Sequence, residues 1–186
     1  MAGQSATLFD MRNVVSIDTK LINLVAVFGI FIVLLVTFRS ISIPLILLFS
    51  IETAIWINLS FPYFTGRSLS FIGYLILSTV QLGATVDYAI LFTDCYLDNR
   101  KTLSKKEAMR VTIRDNLVAI LTSATILATA GFTLALTSSN PIISELGTLL
   151  GRGTLLSLTM VACVLPALLV LLDNVIQKTT IKKQFH

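Results

Sequence analysis

Histidine is almost missing from this 186-residue chain: the only one is His186, at the last position. That removes the usual partner for general acid–base chemistry and the commonest metal ligand. Cysteine occurs twice, as Cys95 and Cys163, one at a helix end and one inside an apolar run, so neither a disulfide framework nor a metal site is expected. Charge is scarce at 13% of residues, against 55% hydrophobic residues and a mean hydropathy of +0.87. A soluble domain of this length needs more charge to cover its surface. The net charge of +4 is no nucleic-acid signature, because the basic residues fall in the gaps between apolar runs, where they act as topology signals. No cofactor and no metal is expected. The start is mixed and polar, with Asp10, Arg12, Asp18 and Lys20, and lacks the basic-then-apolar order of a signal peptide.

What the chain has is apolar runs of membrane-spanning length. We read it as an all-α polytopic membrane protein with five transmembrane helices, at about 21–38, 43–60, 69–96, 116–136 and 146–172. Arg39 to Ser42 makes a short turn, and Pro44 falls in the first turn of the second helix. Phe61 to Ser68, with Pro62 and Gly66, reads as a loop; Trp56, Tyr63 and Phe64 near it suit the bilayer interface. A linker helix at about 104–115 is expected from the capping-box pattern Ser104-Lys105-Lys106-Glu107. Thr137 to Pro141 is a breaker cluster, Pro166 is expected to kink the last span, and 173–186 reads as a basic tail.

Orientation follows from charge. With the N-terminus outside, the inner segments hold ten basic residues (Arg39, Arg100, Lys101, Lys105, Lys106, Arg110, Arg114, Lys178, Lys182 and Lys183), and the outer ones hold Arg12, Lys20 and Arg67. Lysine and arginine concentrate on the cytoplasmic side, so the C-terminus is expected in the cytoplasm.

Against this apolar background two acids stand out. Asp87 lies deep in the third run, where a charged side chain costs roughly 2.5–3.5 kcal/mol on insertion scales. It reads as a proton or ion site, or as a protonated acid that locks two helices together. Glu52, near the middle of the second span, reads either as a second coupling or pathway residue or as a neutral acid bonded to a neighbouring helix. Asp94 lies about two turns after Asp87, a proton access point or a solvated helix-end charge. Thr122, Thr125, Thr129 and Thr133 share one arc of the fourth helix, at about 100° per residue. They form a polar track or bond their own i−4 carbonyls. Gly83 and Ala84 lie one turn before Asp87, and Gly147 and Gly151 form a G-x-x-x-G pair. Small residues at this spacing allow close helix packing.

Four features, in order, carry a family resemblance: Gly3-Gln4-Ser5-Ala6 with Asp10 and Asp18; Gly83-Ala84-Thr85-Val86-Asp87-Tyr88; Tyr96 and Arg100 with Lys105-Lys106-Glu107-Ala108; and Gly151-Arg152-Gly153-Thr154 with Leu165-Pro166-Ala167-Leu168-Leu169 and Asp173. Together they resemble the C-terminal transmembrane half of an MMPL-type transporter of the resistance-nodulation-division superfamily, whose five-span unit is similar to a sterol-sensing domain. The resemblance implies proton-driven export of lipids or hydrophobic compounds across the bacterial cytoplasmic membrane, with Asp87 as proton relay. It implies that Tyr88 either bonds a carboxylate on the opposite half or packs between helices. It also implies that residues 1–20 are the last strip of an extracytoplasmic porter domain. The expected partners are the bilayer, a hydrophobic or lipid substrate, and the absent N-terminal half with its porter domains, or a homo-oligomer. A stand-alone or truncated five-helix module, serving assembly without transport, is the alternative. An enzyme is not expected. An intramembrane aspartyl protease needs a second aspartate and a glycine before one of the pair, but Val86 precedes Asp87 and the other mid-membrane acid is Glu52.

Overall fold

The computed structural model describes residues 4–66 and 71–180, with side chains from residue 21 onward except at 65, 71, 72 and 74–78. Every long element is a helix. The helices are α1 (Gln4–Phe38), α2 (Ser42–Thr65), α3 (Phe71–Asn99), α4 (Lys105–Thr137), α5 (Pro141–Thr159), α6 (Leu165–Leu171) and α7 (Asp173–Thr179), with a π-helical turn at Met160–Val164 between α5 and α6.

Among the described residues, four stretches are long and apolar enough to cross a membrane: Leu21–Phe38, Ser42–Phe64, Lys105–Thr137 and Pro141–Leu171. The expected third span begins at Leu69, outside the described residues; from Phe71 it is the 29-residue α3. Residues 4–20 are helical and continuous with the first apolar run, together forming α1. The linker helix and fourth span are likewise one helix, which starts after Ser104. Ser104 takes the extended N-cap conformation, but its side chain makes no capping hydrogen bond.

Breaks between helices follow local chemistry. Arg39 turns the chain between α1 and α2 with a left-handed backbone (φ 49°). Asn140 caps α5 by accepting from the Ile142 N–H at 3.0 Å, with Pro141 in the first turn. Pro62 lies inside α2, which runs on to a left-handed Gly66 C-cap (φ 65°) instead of ending at Ser60. A proline near a helix end removes only one ladder bond, the one to the carbonyl four residues back. Pro166 is handled differently. The N–H of Leu165 reaches five residues back, to the Met160 carbonyl. The wider turn accommodates a ring that a regular helix would drive into the Ala162 carbonyl.

The tightest packing is between α4 and α5, at small residues spaced by four. A Cβ at Gly147 would lie 2.5 Å from the Ala135 nitrogen and 2.6 Å from the Gly131 carbonyl oxygen; one at Gly131 would lie 2.6 Å from the Gly151 nitrogen. Backbone meets backbone here, so no side chain can yield. Gly83 is different, since a Cβ there meets nothing within 4 Å. In this chain Gly147→Val is therefore expected to lose at least about 1–3 kcal/mol, the usual cost of overpacking, while Gly83→Ala stays near neutral. Reversible unfolding in mixed detergent micelles would measure both, and equal effects at the two positions would refute this packing.

The three basic segments gather at one end of the bundle. Ser40, in the α1–α2 turn, pairs with Thr180, and Thr179 donates to Ser42 at 2.9 Å. Arg100, at the start of the α3–α4 linker, binds Asp173 at the start of α7. Residues 173–180, read from sequence as part of a tail, are thus folded against the bundle.

Candidate functional site

A buried polar network ties α2, α3 and α5 together. Its centre is Asn58, which is fully buried. Asn58 Nδ2 donates to Gln81 Oε1 and to the Leu149 carbonyl, both at 3.0 Å. Gln81 Nε2 donates to the Gly153 carbonyl at 3.2 Å and to Ser157 Oγ at 3.1 Å. Thr85 Oγ1 lies 2.6 Å from the Gln81 carbonyl and 2.9 Å from Ser157 Oγ. Arg152 Nε donates to Asn58 Oδ1 at 2.8 Å, and Nη2 to the Asn58 carbonyl at 3.2 Å.

That last contact has a local cause. Residue 62 is proline and cannot bond the carbonyl four residues back, which belongs to Asn58. The Arg152 guanidinium takes the vacant acceptor, and its Cζ stacks 4.4 Å over the Phe61 ring. Gly153 makes room for the network: a Cβ there would lie 2.5 Å from both Asn58 Nδ2 and Gln81 Oε1. Each amide uses both donors and its carbonyl, as burial in a medium without water demands. Asn58→Ala strips partners from Gln81 and Arg152 at once. It is expected to cost about 1–3 kcal/mol for each buried group left unpaired. Thermal unfolding in detergent checks this, with exposed Thr129→Ala as the neutral control.

The network fixes which face of α3 looks outward. Gln81, Leu82, Thr85, Val86, Ala89, Phe92 and Thr93 are buried, whereas Val80, Gly83, Asp87, Leu91 and Asp94 form an exposed stripe with helical spacing. Asp87 and Asp94 therefore share the outer face, and Tyr88 is half-buried at its edge. Ala84 is likewise half-buried. On α4, Thr122, Thr125, Thr129 and Thr133 are exposed. Thr122 donates to the Val118 carbonyl at 2.8 Å and Thr125 to the Leu121 carbonyl at 2.7 Å, so both hydroxyls return to their own helix. Glu52 is on neither surface. It is half-buried on α2, facing α1. Gly147 and Gly151 lie in the α4–α5 contact described above. The predicted site residues thus fall in four places: the outer face of α3, the exposed face of α4, the α1–α2 side of Glu52, and the α4–α5 contact.

At the end where the basic segments gather, Arg100 makes a two-point contact with Asp173, Nε to Oδ1 at 3.1 Å and Nη2 to Oδ2 at 2.9 Å. Tyr96 Oη donates to the same Oδ1 at 3.0 Å, and Gln177 Nε2 to Oδ2 at 2.9 Å. The hydrogen-bonded Asp173 carboxylate raises the Arg100 pKa above its ordinary value. Among the described residues no three His, Cys, Asp or Glu side chains come together in a way that could hold a metal ion.

Comparison with known sequences fits these features. The profile of the MMPL family matches residues 1–184. The chain belongs to the MMPL family. Two Streptomyces coelicolor proteins named as membrane proteins are similar to it. SCO0839 is 28% identical over 94% of this chain and 25% of its own length. ActII-3 is 32% identical over 84% of this chain and 22% of its own length. The chain thus spans about a quarter of the length of these relatives. The sequence places the MMPL features around Asp87 and the linker but assigns no role to Asn58 or Gln81. The available signal was an amide inside each of two apolar helices, a costly placement unless the two meet.

Proposed function

We propose that this chain is the membrane part of a proton-driven exporter of lipids or other hydrophobic compounds, set in the bacterial cytoplasmic membrane with five spans. The N-terminal end lies outside and the C-terminal end in the cytoplasm. Membership of the MMPL family supports the transport reading, and the gathering of the three basic segments at one end supports the orientation.

The observation that carries the proposal is the position of Asp87. It lies on the exposed stripe of α3, while Thr85, two residues earlier, is bonded into the network that joins α3 to α2 and α5. Asp87 faces the surface where a second transporter half, or another copy, would close over it. There it accepts a proton from one side of the membrane and releases it to the other. The change from carboxylate to neutral acid alters the cost of burying that face. Since Thr85 and Gln81 hold α3 to its neighbours, a shift of α3 is passed to α2 and α5 as a rigid movement. Tyr88, Asp94 and the α4 threonines line or flank this path. The test is export by the whole transporter that contains this segment, measured with and without a proton gradient. Export that survives collapse of the gradient overturns the reading.

A further inference from the structure

We propose that the cavity between α1 and α2 is a binding site for a single-chain amphiphile with a protonated amine head, held by Glu52. This site stands apart from Asp87 and does not depend on a proton-relay role for it. The cavity is about 730 Å³ and is lined by Asn23, Leu24, Val27, Phe28 and Phe31 of α1 and by Leu48, Glu52 and Trp56 of α2. That is within the range of small-molecule sites, which pair a mostly apolar wall with a few placed polar groups.

Three observations define the occupant. First, one oxygen of the Glu52 carboxyl, Oε1, is buried and has no hydrogen-bond partner among the described residues, although the Trp56 indole reaches the carboxyl group. An acceptor in that state is costly, and a donor brought by a ligand would satisfy it. Second, the wall offers three aromatic side chains, Phe28, Phe31 and Trp56, with the Trp56 indole beside the carboxyl. Aromatic faces together with a carboxylate favour an ammonium group over a neutral or anionic head. Third, Glu52 lies ten residues into α2, about 15 Å from its start at Ser42. That is near the middle of a hydrocarbon core about 30 Å thick. A bilayer phospholipid keeps its headgroup at the interface, so a free single-chain amine suits this depth.

Trp56 is the only tryptophan in the chain and lines the cavity while 63% exposed, so saturable quenching reports on the cavity and linear, non-saturating quenching reports on the surrounding bilayer. The experiment places the chain in phosphatidylcholine nanodiscs and titrates it with bromododecylamine or bromododecanol, at matched mole fractions in the membrane. The amine is expected to quench Trp56 saturably and at least about tenfold more tightly than the alcohol, as one charge-assisted hydrogen bond would give. Glu52→Gln should remove that preference. Equal quenching by amine and alcohol in the unsubstituted chain overturns the proposal and needs no variant. So does an amine preference that survives in Glu52→Gln, which would be attraction to the bilayer surface. Loss of the signal when phosphatidylethanolamine replaces phosphatidylcholine overturns it in favour of a bilayer lipid.

Discussion

Asp87→Asn is expected to lower export by the assembled transporter about 100-fold or more, the scale for losing a positioned proton-transfer group, with membrane insertion unchanged. The amide keeps the size and hydrogen-bonding capacity of a neutral acid but cannot give up or take a proton at any pH reached in the cell. It should therefore fix the segment in the state that a protonated Asp87 would hold. Insertion should be spared because Asn removes a charge from the membrane, and because Asp87 lies on the exposed stripe of α3, away from its packed face. Asp87→Glu keeps the titratable group one methylene further out and should retain part of the export. Transport into inverted vesicles with an imposed pH gradient, alongside quantification of inserted protein, separates the two effects. Full export by Asp87→Asn at normal insertion would end the relay proposal. Loss of both export and insertion would instead mark Asp87 as a structural residue.

The apolar helices were legible because apolar runs and Pro141 act locally; the end of α2 was not, since Phe61 to Ser68 read as a loop and the helix runs on to its Gly66 cap. Membership of the MMPL family was legible too, because the stretches around Asp87, Arg100 and Asp173 keep their order along the chain. Which faces meet was not legible, because that depends on residues far apart. Asn58 meets Gln81 across 23 positions and Leu149 across 91. Neither distance leaves a periodic signal. Gly147 and Gly151 could be found as a pair, but their counterpart Gly131 stands among Ala130, Phe132 and Thr133 with no motif of its own. Pro62 read as a loop residue. Its effect lies in the carbonyl it leaves free for Arg152, which only the assembled helices reveal. The cavity beside Glu52 was hidden for the same reason: the position read as buried, but whether it was filled depends on how α1 leans on α2.

Arg100→Ala is expected to cost about 3–5 kcal/mol of stability, because it breaks a buried ion pair from one side. The two side chains are nearly inaccessible, at 5% and 3%. Removing the guanidinium leaves a buried Asp173 carboxylate with, among the described residues, the Tyr96 and Gln177 side chains as its remaining side-chain donors. Asp173→Ala should cost a similar amount, because a buried cation is then left without its anion. The double replacement Arg100→Met with Asp173→Leu tests the interpretation. Two apolar side chains of similar bulk remove both charges, so its cost should fall well below the sum of the single losses. Additive costs would mean that each residue acts through its own packing, not through the pair. Because Arg100 opens the α3–α4 linker and Asp173 opens α7, the single variants should also release the segment at 173–180. Proteolytic cleavage after Lys178 at the membrane surface would detect that release directly. Cleavage at the unsubstituted rate in Arg100→Ala would show that the Ser40–Thr180 pairing and the Thr179 hydrogen bonds hold the segment without the ion pair.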